Sequence, residues 1–370
     1  MRCLPLVVLV VANAWAQSGP RVQFSQTNES LRGVSAVSRQ VAWASGTHGT
    51  YLRTLDGGRT WMPAQVPDAG ALDFRGVVAF SSDEAFLMSA GPGEQSRIYH
   101  SSDSGRHWQL QFTNPNPKGF FDGMVFWDST HGMVVGDPIP DESGKLKFEI
   151  LLTDDGRSWR PVSSSLLPNA MEGEGAFAAS NTCIAIVRSA SDSNVWFATG
   201  GKTARVFHSA DRGHSWEVFD TPMVHGADSA GIFSIAFRDA MHGVIAGGDY
   251  KRPKDDGPNL AVTEDGGKTW TLPALHPLAY FSAVAYDRTV NDAAVHEAMG
   301  GEEKKTRVKP VPRERIFIVG EDFVFDLRPP NNPRRIGGKK KLGIRFNAVS
   351  AYPEGGALVV GPKGAMASIP

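Results

Sequence analysis

The 370-residue chain has little cysteine, no long apolar run and almost no net charge: two cysteines, and 38 Lys+Arg against 39 Asp+Glu. The near-zero balance excludes a general polyanion binder; charge would have to be segregated for an electrostatic role. No apolar run beyond the first residues could span a bilayer. Cys3 lies in the first segment, so the remainder keeps one cysteine, Cys183, and no intramolecular disulfide can form there. In the apolar run from Cys183 to Val187 it reads as a small buried hydrophobe. Stability must come from the core.

What is present is glycine (40), tryptophan (9) and a hydrophobic content of 41%, a globular composition rich in turns and aromatic plugs. The first residues, MRCLPLVVLVVANAWAQSGP, have Arg2, an apolar stretch from Leu4 to Val11, and Ala14-Trp15-Ala16. That order of charge, apolar run and small-x-small motif predicts a signal peptide over 1–16 and an exported chain beginning at Gln17, periplasmic or secreted.

Internal repetition dominates the remainder. Thr54-Leu55-Asp56-Gly57-Gly58-Arg59-Thr60-Trp61 recurs around Asp103 and Trp108, Asp155 and Trp159 (one residue shorter), Asp211 and Trp216, and Asp265 and Trp270. The aspartates are 47, 52, 56 and 54 residues apart. Such periods with Gly/aromatic punctuation indicate propeller blades. The preceding residues repeat too: Leu31-Arg32-Gly33-Val34 and Phe74-Arg75-Gly76-Val77 each open a run of short β-rich segments. Two further copies, around Phe281–Ala285 with Arg315–Val319 and Asn347–Ala351 with Ala357–Val360, keep the strands without the motif. The expectation is an all-β fold: one seven-bladed propeller over 17–370, each blade four antiparallel strands, A to D from the axis outward. The chain ends after a C-like strand, Ala365–Ile369, so the segment from Arg21 to Ser25 should supply the last D strand.

In the repeated turn, Ser/Thr and Asp cap local amides, the second glycine takes a positive φ, and the tryptophan buries its ring. These ten Asp and Trp positions are structural. One carboxylate per loop is too few for calcium. No metal or cofactor is indicated, since the histidines show no ligand spacing.

The motif resembles the Asp-box, or BNR, repeat of sialidases. The whole-chain pattern resembles the photosystem II stability/assembly-factor propellers and their exported bacterial relatives. The resemblance implies the propeller fold. It leaves function open, because glycosidases, sorting receptors and assembly factors share the repeat.

A–B and C–D turns leave one face, B–C and D–A loops the other, and the second face is where a site is expected. Arg32, Arg75 and Arg345 lie there just before strand A of blades one, two and seven, and would form a ligand-binding anion pocket. The resemblance adds that assembly factors carry an arginine patch and sialidases an arginine triad. Across the face are Asp122, Asp137, Glu172, Glu174 and Asp249, candidates for the catalytic pair of a glycoside hydrolase. The sialidase arginine–isoleucine–proline segment is missing, its nearest match being Arg97-Ile98-Tyr99, and Tyr250 and Tyr280 are only candidate nucleophiles. Two polar insertions are expected, 287–313 and 328–341. Residues 304–345 hold 13 basic and 4 acidic residues, a surplus of nine. Lys339-Lys340-Lys341 could meet an acidic partner or lipid headgroup; export argues against DNA. Two functions remain: a non-catalytic, monomeric binding scaffold or assembly factor taking a protein segment or anionic ligand, and an exported glycoside hydrolase. Nothing in the sequence ties the host to photosynthesis.

Overall fold

A computed structural model describes residues 19–187, 192–273, 279–288, 315–320, 324–328, 332–337 and 344–370. The segment 1–16 with its cleavage motif, most of 287–313, and Lys339–Lys341 lie outside the described residues. Seven antiparallel sheets follow one another along the chain. Blade one is Leu31–Ala36, Ala42–Gly46, Thr50–Thr54 and Met62–Gln65. Blade two runs from Phe74–Ala79 to Gln109–Thr113, and blade three from Phe121–Phe126 to Arg160–Pro161. Blade four runs from Ile184–Ile186 to Glu217–Asp220, and blade six from Phe281–Tyr286 to Asn332–Gly337. The second polar stretch, expected as a loop, therefore contains blade six's outer strand. Among the described residues no helix is long and apolar enough to cross a membrane.

Blade seven uses Ala348–Ala351, Ala357–Val360 and Ala365–Ile369, and its outer strand is Arg21–Phe24. The register pairs Arg21 with Ser368 and Phe24 with Ala365. The chain thus closes on itself as expected, and the edge that would template aggregation is covered. Side chains repeat the lesson. Gln23, in this strand, accepts from the Trp61 indole at 2.9 Å and donates to the Gly57 carbonyl at 3.2 Å. Gln111, in the outer strand of blade two, makes the same two bonds with Trp159 and Gly156, at 2.9 and 2.8 Å.

The repeated turns are built alike. Thr54 Oγ1 accepts the Gly58 amide at 2.9 Å, and Asp56 accepts the Thr60 amide at 2.9 Å. Thr263 and Asp265 repeat this with Gly267 and Thr269, at 3.0 and 2.9 Å. The shortened third turn keeps the pattern: Thr153 Oγ1 accepts from Gly156, and Asp155 from Ser158. Gly58 and Gly267 sit at φ 81° and 91°, which glycine adopts without strain.

The core is not one mass but seven layers, one between each neighbouring pair of blades. Leu87 and Trp43 pack blade one on blade two, Phe148 and Phe197 join three to four, and Leu358 and Leu52 join seven to one. Blade five departs from the expected plan. Among the described residues, its strands Ala230–Phe237, Gly243–Asp249 and Leu260–Thr263 have as outer partner one bridge, Val262 to Thr271. On its axial side the sheet gains two short strands, Gly200–Gly201 and Glu174–Gly175. Glycine makes this possible: a Cβ on Gly200 would stand 2.9 Å from Gly231 Cα.

Candidate functional site

Inner strands carry the site because five of the seven have a one-residue irregularity near their start. The pairing register skips Arg32 in blade one, Arg75 in blade two, Asp122 in blade three, Phe233 in blade five and Ser282 in blade six. A bulge re-aims the side chain it skips. Arg32, Arg75, Asp122 and Phe233 all line one cavity of about 810 Å3 at the axial mouth, on the face of the D–A and B–C loops. The arginines therefore belong to strand A itself, as its second residue, and do not precede it as expected. The glycine after each is required by the close approach of blades. A Cβ on Gly33 would lie 2.6 Å from Ser45 Oγ and 3.0 Å from the Arg75 carbonyl oxygen.

Arg32 and Arg75 come together over Asp73. Arg75 Nε donates to Asp73 Oδ2 at 2.9 Å, and Arg32 Nε stands 3.8 Å from the same oxygen. Arg75 also donates to the Ala178 carbonyl at 3.1 Å. Arg32 Nε has no hydrogen-bond partner among the described residues. Its charge is opposed by burial, favoured by Asp73 and opposed by Arg75. Two guanidiniums against one carboxylate leave this wall positive. Arg345 is not part of it. That residue is exposed outside the cavity lining, and the position in blade seven matching Arg32 is held by Asn347, which donates to the Leu31 carbonyl at 2.8 Å.

Of the five candidate carboxylates, Asp122, Asp137 and Glu174 line the cavity. Asp122 lies inside strand Phe121–Phe126, and Asp137 at a register shift inside Gly132–Pro140. Burial pushes the Asp122 carboxyl well above the usual range, and Asp137 adds to the shift. Burial likewise raises Asp137 to about 6, against one amide bond from Ala176 at 3.1 Å. Asp122 Oδ2 is buried with no partner among the described residues. Glu174 differs: it accepts from Arg205 Nε at 2.9 Å and Thr199 Oγ1 at 2.7 Å, and the Arg205 pair is buried. Asp249, the last residue of its strand, lies outside the lining and accepts from Arg252 at 2.9 Å. Glu172 is exposed and also outside it.

An aromatic wall completes the mouth. Phe177 and Phe233 stack at 3.9 Å between centroids, and Tyr280 meets Phe233 edge-on at 4.8 Å. Tyr250 and Tyr280, considered as nucleophiles, belong to this wall. Sequence reasoning missed Asp73, Phe177 and Phe233. The signal for Asp122 was a third copy of the Phe-x-Gly opening with aspartate in the arginine's place; Phe177 had no such signal. Groups of three or more His, Cys, Asp or Glu able to hold a metal are absent among the described residues.

The fold and its mouth define a seven-bladed propeller with a polar, aromatic-walled axial pocket. Comparison places this chain near particular proteins. It resembles the photosystem II stability/assembly factors: it is 34% identical over 67 residues to the chloroplastic photosystem II stability/assembly factor HCF136 of Oryza sativa subsp. japonica. That match spans 17% of this chain and 15% of the rice protein. The solved structure of YCF48 bound to D1 peptide is similar over 95% of this chain and 94% of its own, with TM-score 0.63 and 14% identity. A catalytically inactive virginiamycin B lyase from Staphylococcus aureus with quinupristin gives TM-score 0.60 at 12% identity, covering 94% and 98%. The WD40 propeller domain of Doa1 gives 0.57 at 12% identity, covering 94% and 96%. At such identities the likeness speaks for the fold. No family model matches the chain.

Proposed function

We propose that this chain is an exported, non-catalytic propeller that binds a segment of a partner protein at the axial mouth, as a scaffold or assembly factor. The observation that carries the reading is the Arg32–Arg75 pair sharing one carboxylate at the rim of the cavity. A partly desolvated guanidinium pair with donors to spare favours a carboxylate or a backbone carbonyl. The YCF48 likeness, a propeller with a peptide bound, supports a protein segment as ligand. The hydrolase alternative is weakened by the fate of three of its five carboxylates, which leaves Asp122 and Asp137 as its candidate pair. Glu174 and Asp249 are committed to arginines, and Glu172 lies away from the lining.

The test is capture from an envelope extract by immobilised mature protein beside an Arg32→Ala/Arg75→Ala variant of equal melting temperature. Identification of one protein retained by the parent and lost with the variant is the expected result. Equal recovery by both would overturn the arginine-mouth reading. Export is checked separately: N-terminal sequencing of the purified native protein should begin at Gln17, and an intact Met1 would exclude cleavage.

A further inference from the structure

The axial mouth holds more than the arginine wall. Across it stand two neighbouring carboxyls that no group among the described residues neutralises fully. Asp122 is 1% exposed, lines the cavity, and leaves Oδ2 without a partner among the described residues, its carboxyl taking an amide from Ala178. Asp137 accepts the Ala176 amide. The charged and titratable groups facing the pair are Arg75 from blade two, Glu149 from the third strand of blade three, and Cys183 at the start of blade four. Arg75 is already held by Asp73 and the Ala178 carbonyl, and Glu149 is bonded by Asn114 at 2.6 Å. Lys118, exposed at the rim, makes no ion pair among the described residues. Beside the carboxyls are Phe177, Phe233 and Tyr280, whose ring faces favour a cation. A buried acceptor without a donor costs stability unless a ligand supplies one.

We propose that the mouth takes a zwitterionic stretch of polypeptide, with a carboxylate of the segment between Arg32 and Arg75 and a lysine or arginine side chain of the same segment against Asp122 and Asp137. The inference rests on the peptide-binding reading above and names the chemistry of the peptide. A cavity of about 810 Å3, taken as a sphere, is roughly 12 Å across. That is the reach of about three to four extended residues. The two charges therefore belong to near neighbours in the segment. Because burial holds protons on the carboxyl pair, a bound cation must displace them. Complex formation then releases protons near neutral pH, and affinity weakens as the pH falls.

The experiment uses end-capped nonapeptides with randomised flanks in three sets. One carries glutamate and lysine within four positions; the second replaces lysine by norleucine; the third replaces glutamate by glutamine. Binding to the full mature protein is read by fluorescence anisotropy. The expected result is that the mixed set binds best and norleucine costs about tenfold, a difference of ~1.4 kcal/mol. That difference should vanish in Asp122→Asn and in Asp137→Asn, either of which suffices if the other fails to fold. Affinity of the mixed set should fall about tenfold from pH 7.5 to 5.0, as a carboxyl titrating near 6 requires. If norleucine peptides bind as tightly as lysine peptides while Arg32→Ala/Arg75→Ala still abolishes binding, the cation subsite is wrong and the peptide-binding reading stands. If no set binds at about 1 mM, an affinity of only ~4 kcal/mol, both fail.

Discussion

At the scale of single residues, the molecule tolerates two kinds of cost for the sake of its mouth. The first is electrostatic. Asp137 titrates near 6 when folded because burial disfavours its charge, whereas an unfolded aspartate titrates near ~3.9. The folded state thus holds its proton more tightly. Its stability is undiminished below the unfolded value and declines as pH rises from about 4 to about 6. Asp137→Asn should therefore match the parent in melting temperature at pH 4. At pH 7.5 it should be more stable than the parent by up to about 3 kcal/mol. Thermal melts at the two pH values check this, and a destabilised variant at pH 7.5 would refute the assignment. The second cost is steric. Gly33→Ala drives a Cβ toward Ser45 Oγ and the Arg75 carbonyl, and the second is backbone that cannot rotate away. The expected loss is about 1–3 kcal/mol, read by denaturant unfolding. Residue chemistry was only partly legible in the sequence. The Arg-Gly pairs stood out, but a bulge is invisible without the partner strand. Arg32 and Arg75 thus read as lying just before strand A, and Arg345 groups with them although Asn347 occupies the matching position.

At the scale of elements, the inner strands pose a problem that periodicity does not reveal. Each has one edge facing the axis, and its amides there need acceptors. Side chains of neighbouring blades supply them. Ser350 of blade seven accepts the Ala36 amide of blade one at 3.0 Å, and Ser35 of blade one accepts the Ala79 amide of blade two at 3.0 Å. Asn181 accepts Met124 of blade three at 2.8 Å, and Ser234 accepts Val284 of blade six at 2.8 Å. Small polar residues in otherwise apolar strands are thereby explained. Ser35→Ala should leave the Ala79 amide unsatisfied, at about 1–3 kcal/mol. Hydrogen exchange at Ala79 should quicken while exchange in blade five stays unchanged. Equal exchange in both proteins would show that the junction bond contributes nothing. The strands themselves were legible because each blade repeats the same segment–turn grammar. The exceptions are where the grammar lapses: the axial additions to blade five come from Gly-rich segments with no β pattern.

At the scale of the whole molecule, stability is a property of the ring. Seven interblade layers each contribute a core, and losing one contact opens two edges. The weakest link in sequence distance is blade seven, whose outer strand is contributed from Arg21–Phe24. Removing residues 19–25 would expose the edge of Ala365–Ile369 and free Trp61 and Gly57 from Gln23. An unpaired edge of this length templates association. The truncated protein should melt at lower temperature and scatter light in a concentration-dependent way. General loss of mass at the terminus could produce the same result, so a permutant decides the cause. Ala365–Ile369 runs toward Pro370 and pairs antiparallel with Arg21–Phe24, with Ser368 opposite Arg21. A turn of about four residues after Ile369 could therefore lead directly into a transplanted copy of 21–25, as strands C and D are joined elsewhere in the ring. Calorimetry should show this permutant recovering most of the lost melting temperature and staying monodisperse. Failure to recover would mean that the strand acts through contacts other than the sheet it completes.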